Sequence, residues 1–305
     1  MKKMTALKTA LLMCGTPLMA AEAYTVPSFE VAVEENVVYG TAEGYWSSAP
    51  VEAQRNLLKL IQNARHLRTI ELKMDIYTPE GDDSPSRPLM LMMHGGAYLF
   101  GNKNELGQTG WCQYFASLGY VAASIDYRLG FQLNKESFSR AEHAAVEDAC
   151  NALLYLLGRE DLRIDPERVF VAGTSAGGTT ALTMAYDPPV EDVPWRIRAI
   201  GDLWGYTHNL DILQNESIPI LSFQSERDPL VPYREGYPIH SKRIVDKAFG
   251  TLAVYGKASE LGITCEHHPC PEKRHMLHLD KKMNFTPRYY EIRDRMAAFF
   301  AASMN

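Results

Sequence analysis

Ser175 stands inside Gly173-Thr174-Ser175-Ala176-Gly177-Gly178, which contains the pattern G-x-S-x-G. A serine hydroxyl is a weak nucleophile until a neighbouring base takes its proton, and that base works best when a carboxylate orients it. The pattern has chemical meaning where a strand runs in and a helix runs out. The sharp turn then lifts the serine Oγ above a sheet, at the positive end of a helix. Both flanks qualify. Val169 to Ala172 is a short apolar, β-branched run, fit for a buried strand. Thr179 to Tyr186 has no Gly or Pro and carries Ala181, Leu182, Met184 and Ala185, which suits a packed helix. Glycines beside the serine relieve the crowding of so tight a turn.

The partners should follow in the order serine, acid, histidine, each in a loop after a strand. Asp228 opens Asp228-Pro229-Leu230-Val231-Pro232 after the apolar run Ile218 to Phe223, and His275 follows the run Ile263 to His268. Glu226 and Asp202 are rival acids. His278 is a rival base three residues beyond His275, and His267 and His268 precede it. An acyl-transfer site also needs donors for the developing oxyanion. Ala176 supplies one backbone N–H, and Gly95-Gly96 in His94-Gly95-Gly96-Ala97-Tyr98 supplies the rest, since residues without a β-carbon let backbone approach a substrate closely.

These positions require a scaffold, and the chain supplies one. Phe29 to Tyr39 reads as an edge strand, Gly40 to Pro50 as a loop and Val51 to Leu67 as a surface helix. Thr69 to Tyr77 alternates like a strand with one solvated face, whereas Leu89 to Met93 and Tyr120 to Tyr127 are apolar like strands buried on both faces. Further strands are expected over Ala199 to Trp204, Ile218 to Phe223 and Ile263 to His268. Helices are expected over Gly107 to Leu118, Ala141 to Leu157, Ser241 to Leu261 and Pro287 to Ala301. Alternating strands and helices predict a mostly parallel sheet of about eight strands with helices on both faces, and such sheets place functional loops at strand carboxyl ends.

Taken together, His94-Gly95-Gly96, Asp126-Tyr127-Arg128-Leu129, Gly173-Thr174-Ser175-Ala176-Gly177-Gly178 and Asp228-Pro229-Leu230-Val231-Pro232 resemble an α/β-hydrolase esterase. The resemblance runs from about Thr69 to the C-terminus and points to the bifunctional feruloyl/acetyl-xylan esterases and the related hormone-sensitive-lipase-like carboxylesterases. It implies an α/β-hydrolase fold with a small cap or none, and a triad of Ser175, Asp228 and His275. It implies no cofactor and no metal, and an ester of a small molecule or a polysaccharide as substrate. Gln224-Ser225 stands where the family usually has His-Gly, Glu272-Lys273-Arg274 where it has glycines, and Ala97 where some relatives have a third Gly.

Composition narrows the field further. The 305 residues can bury a sizeable core, and 46% hydrophobic with 22% charged residues is ordinary for a globular protein. A net charge of −6 gives no basic footprint for nucleic acid, and no apolar run is long enough to span a membrane. Lys2, Lys3 and Lys8, the mostly apolar Thr9 to Ala20, and Ala21-Glu22-Ala23 read as a secretory signal over residues 1–23. Residues 24–305 then form a catalytic domain acting outside the cytoplasm or in the periplasm. Of five cysteines, Cys14 leaves with the leader. Cys112, Cys150, Cys265 and Cys270 remain, able to form two disulfides or to stay as buried thiols.

The expected activity is hydrolysis of carboxylic esters through an acyl-enzyme. Short acyl, acetyl or feruloyl groups fit best, because Gly205 to Ser217 is short and polar and offers no lid for lipid. Tyr98, Phe100, Tyr127, Phe131, Trp204 and Tyr206 lie near strand ends, as pocket lining or as core. A peptidase or lipase of the same fold is the alternative, although related peptidases carry an extra N-terminal domain. Metal binding by Cys265, His267, His268, Cys270, His275 and His278 is a third reading. Their spacing matches no zinc-finger pattern, and strand alternation separates neighbouring side chains.

Overall fold

The computed structural model describes residues 24–48, 64, 66–190 and 192–304. The expected leader over 1–23, with Cys14, and nearly all of the helix expected over Val51 to Leu67 lie outside them. Eight strands form one sheet: β1 (Val31–Gly44), β2 (Arg68–Pro79), β3 (Arg87–Met93), β4 (Val121–Ile125), β5 (Ile164–Thr174), β6 (Ile197–Leu203), β8 (Ile220–Ser225) and β11 (Cys265–Cys270). Their spatial order is β1-β2-β4-β3-β5-β6-β8-β11. β2 pairs antiparallel with β1 and β4, and every later neighbour pair is parallel. Three short segments, β7 (Tyr206–Thr207), β9 (Glu235–Gly236) and β10 (Ala248–Gly250), form a second, antiparallel sheet.

The period-2 alternation of buried strands sorts the core into two layers. Leu89, Leu91 and Met93 of β3, with Val169 and Val171 of β5, pack with α2 (Lys135–Leu157) and α3 (Ala176–Tyr186). Met90, Met92, Phe170 and Ala172 face the other way, against α1 (Leu106–Ser117) and α5 (Pro287–Ala302). The remaining helix, α4 (Thr251–Glu260), joins the first layer through Val254 and Ala258. Crossing from strand to helix and back leaves the loops after β3, β5, β8 and β11 at one edge of the sheet, where the candidate residues lie.

Several expectations change. β2 has no solvated face over its second half: Leu72, Met74, Asp75, Ile76 and Tyr77 are all buried. Asp75 looks like a solvent-facing residue in sequence, but it is buried in an ion pair with Lys103, at 2.7 Å. β1 runs on to Gly44, into the segment expected to be loop. α2 starts at Lys135, because the Asn134 side chain caps it by accepting from the Ser137 N–H at 2.9 Å. The helix expected over Ser241 to Leu261 forms only from Thr251. Before it, Gly250 is held extended in β10, so close to Pro232 that a β-carbon there would lie 1.7 Å from the Pro232 carbonyl oxygen.

Among the described residues Cys112, Cys150, Cys265 and Cys270 are free thiols, and no helix is long and apolar enough to cross a membrane.

Candidate active site

β5 ends at Thr174, and Ser175 turns the chain straight into α3. Its φ of 53° and ψ of −117° lie where side-chain-bearing residues are strained. The surroundings hold it there. The Ser175 N–H donates to the Leu203 carbonyl at 2.8 Å, and the Tyr98 hydroxyl donates to the Ala176 carbonyl at 2.9 Å. Gly177 is where the turn requires glycine. A β-carbon would lie 2.2 Å from the Met93 carbonyl oxygen, so α3 could not approach β3 this closely.

Ser175 Oγ lies 2.8 Å from His275 Nε2. On the other side of the ring, Nδ1 lies 2.8 and 3.0 Å from the two carboxylate oxygens of Asp228. The Asp228 side chain is fully buried and accepts the Leu230 and Val231 N–H groups at 2.8 and 3.1 Å. Those amides fix its rotamer and aim the carboxylate at the ring. The loops after β8 and β11 are tied together. The Ser225 hydroxyl donates to the Glu272 carbonyl, the Glu226 N–H to Cys270 at 2.9 Å, and Arg227 to Pro271. Arg274 donates to the Leu279 carbonyl and closes the loop around His275.

The turn after β3 carries the remaining expected residues. Gly95 packs on the elbow, where a β-carbon would come within 3.3 Å of Ser175 Cβ, and Gly96 has φ +110°. Ala97 and Tyr98 follow at φ 51° and 58°, unusual for non-glycine residues. Backbone strain of this kind points N–H groups away from regular pairing. Among the described residues the Gly96 and Ala97 N–H groups have no acceptor within the protein. Gly95, Gly96, Ala97, Ser175, Ala176 and His275 line the same cavity. Ala97 was not singled out as a donor in the sequence; its positive φ is the signal, and no composition pattern carries it.

The rival residues have other surroundings. His278 is buried against the rings of Trp204 and Trp111, with centroids 5.4 and 5.2 Å away. Burial, with Arg274 and His275 beside it, lowers its pKa to about 3, so the ring is neutral near pH 7. Asp202 is buried on β6 and accepts the Gly205 N–H at 2.8 Å; burial raises its pKa to about 7. Glu226 is exposed. His94 is buried in the turn after β3, stacked on Tyr127 at 4.3 Å and donating from Nδ1 to the Gly95 carbonyl at 2.6 Å; burial lowers it to about 4. His267 bonds Ser222 and Tyr233, and His268 stacks on Phe223. Among the described residues no group of three or more His, Cys, Asp or Glu is placed to hold a metal ion.

The cavity over Ser175 measures about 700 Å³. Of the six aromatic residues expected near strand ends, Phe100, Trp204 and Tyr206 line it, while Tyr98, Tyr127 and Phe131 belong to the core. Phe138, Leu230, Pro238, Ile239 and Met276 complete the apolar wall. Pro238 and Ile239 were not legible as lining, because Ile239 reaches the cavity through a left-handed turn, φ 52°. A larger hollow, about 1100 Å³ and lined by Trp195, Ile218 and Phe299, contains none of the site residues.

The fold and part of the sequence are shared with known proteins. Residues 74–194 match the family model BD-FAE, bifunctional feruloyl/acetyl-xylan esterase. The chain is similar in structure to Thermogutta terrifontis esterase 2 phosphorylated by paraoxon, with a TM-score of 0.59 and 19% identity over 88% of this chain and 92% of that one. It is also similar to esterase B from Lactobacillus rhamnosis inhibited by a tributyrin phosphonate, at TM-score 0.56 and 16% identity over 94% and 90%. In sequence, a non-reducing polyketide synthase of Acremonium egyptiacum is 32% identical over 126 residues, 41% of this chain. Another, of Penicillium brasilianum, is 32% identical over 130 residues. The chain spans only 5–6% of the length of these synthases. The chain has the α/β-hydrolase fold of these esterases, and its residues 74–194 are similar to the BD-FAE family.

Proposed function

We propose that the chain is a serine esterase that hydrolyses carboxylic esters through an acyl-enzyme. The observation that carries this reading is the unbroken line of hydrogen bonds from Ser175 Oγ through His275 to Asp228 at the floor of an apolar cavity. In the mechanism, His275 Nε2 takes the Ser175 proton as Oγ attacks the ester carbonyl. The oxyanion that forms is stabilised by the Ala176 N–H and by N–H groups of the turn Gly95-Gly96-Ala97, which act without reorganising. Asp228 holds the ring with Nδ1–H toward itself and stabilises the imidazolium. His275 then protonates the departing alcohol, and water, deprotonated by the same nitrogen, cleaves the acyl-enzyme.

The apolar cavity has room for a short acyl group or one aromatic ring, and the BD-FAE match supports acetyl or feruloyl groups on polysaccharide or small esters. Thermogutta esterase 2 has been captured with propionate bound, consistent with short acyl groups in this fold. A panel of p-nitrophenyl acetate, p-nitrophenyl butyrate, methyl ferulate and acetylated xylan tests the reading. The purified protein is expected to hydrolyse the short esters, and a folded protein inert to the whole panel contradicts it.

A further inference from the structure

The loop between the oxyanion turn and α1 brings a carboxyl group to the cavity that the mechanism does not use. Glu105 occupies the position that caps α1, where Ser, Thr, Asp or Asn is favoured because a short side chain can bond the first free N–H groups. Its carboxyl makes no such bond. The backbone continues the helix normally, with the Glu105 carbonyl accepting the Thr109 N–H at 3.0 Å, while Glu105 lines the cavity that Gly96, Ala97 and Phe100 also line. A local rule broken in this way, with no structural return, is characteristic of functional positions.

The loop is built to be rigid. The neighbouring Lys103 is buried, its Nζ 2.7 Å from Asp75 and its backbone N–H donating to Asp126 at 2.7 Å. The Ser124 hydroxyl donates to the Lys103 carbonyl at 2.9 Å. Glu105 is therefore presented at a fixed depth. Among the described residues no side chain hydrogen-bonds to or ion-pairs with its carboxyl; Lys273 and Lys281 also line the cavity but lie beyond ion-pair distance. Burial raises the Glu105 pKa to about 7, opposed by a backbone hydrogen bond from Asn102 that leaves the rest of its acceptor capacity free. A carboxyl kept partly dry in an apolar wall retains acceptor capacity that the protein leaves unfilled, and a substrate donor that meets it gains more than it would in water.

We propose that Glu105 is a specificity-determining residue that accepts a hydrogen bond from a hydroxyl group of the ester substrate. This rests on the esterase reading of the site and names a substrate feature within it. The hydroxyl can belong to the acyl part or to the alcohol part, and two pairs of near-isosteric esters separate these. Methyl 3-(4-hydroxyphenyl)propanoate against methyl 3-phenylpropanoate reads the acyl side. Hydroxyethyl butyrate against propyl butyrate reads the alcohol side.

The expected result is that the wild-type protein prefers the hydroxylated member of one pair by about 10- to 100-fold in kcat/KM, the range of one hydrogen bond to a charged acceptor. Glu105→Leu is expected to lose that preference, so that the two members of the pair are hydrolysed with about equal kcat/KM. Glu105→Gln, which keeps an acceptor oxygen, is expected to retain part of it. The wild-type preference should rise with pH through about 7 as the carboxyl ionises, and that rise should be absent in Glu105→Gln. Hydrolysis of p-nitrophenyl acetate without discrimination in either pair overturns the Glu105 assignment alone. So does a preference that survives in Glu105→Leu, or an equal loss on both members of the pairs in Glu105→Gln. Failure to hydrolyse any ester overturns the reading of the site, and this inference with it.

Discussion

Replacing Ser175 by alanine is expected to leave a folded protein and to lower kcat/KM for ester hydrolysis by about 10⁴-fold or more, a loss of roughly 5.5 kcal/mol of transition-state stabilisation. The reason is chemical rather than structural. Ser175 donates its backbone N–H to Leu203, and its carbonyl accepts the Thr179 N–H; alanine keeps both contacts. What disappears is the single oxygen 2.8 Å from His275 Nε2. The strain at φ 53° remains, because it belongs to the turn and not to the hydroxyl. Circular dichroism and the thermal midpoint should match wild type, and steady-state kinetics on p-nitrophenyl butyrate should read the loss. Activity within tenfold of wild type in a preparation free of contaminating esterase contradicts the assignment.

Asp228→Asn is expected to cost about 10⁴-fold in kcat, by a route that distinguishes orientation from charge alone. The amide is isosteric, but its NH₂ facing Nδ1 favours the tautomer that puts the proton on Nε2, where it cannot accept from Ser175. Leu230 and Val231 still donate to the remaining oxygen, so the loop should keep its shape. His275→Ala should be as inactive as Ser175→Ala, and the double variant no worse, since the two residues move one proton between them and their losses are not additive. His278→Phe supplies the comparison. His278 stacks on Trp204 and Trp111 and has no hydrogen bond to Ser175, so an aromatic replacement should retain kcat within about tenfold. Kinetics of these variants on one ester check all of this. An inactive His278→Phe beside an active His275→Ala would contradict the roles given to the two histidines.

The parts legible in the sequence were those in which one physical demand dominates. Leu89 to Met93 is apolar throughout because both faces of β3 are covered, and Gly177 beside the elbow is required because α3 lies against the backbone of β3. Where two demands compete, the sequence misleads. Asp75 alternates like a surface residue, yet it is buried with Lys103. Residues 241–250 are compatible with helix by composition, but Gly250 is drawn into β10 by its contact with Pro232 and Tyr233. The choice between His275 and His278 depends on loop geometry, on Arg274 bonding Leu279 and Ser225 bonding Glu272, and no spacing rule encodes those bonds. Glu105 is invisible for the same reason. Nothing in Asn102-Lys103-Asn104-Glu105 distinguishes a carboxyl that points into a cavity from one that caps a helix.

The most direct test of the central claim is covalent. The protein is treated with diisopropyl fluorophosphate, and the modified peptide is identified by mass spectrometry while residual hydrolysis is followed. A serine made nucleophilic by its histidine should attack the phosphorus, expel fluoride and retain the diisopropylphosphoryl group. The account predicts one adduct per chain, located on Ser175, appearing in step with the loss of esterase activity and absent from Ser175→Ala. An active protein that is inhibited while Ser175 remains unmodified, with the phosphoryl group on another residue, would contradict it.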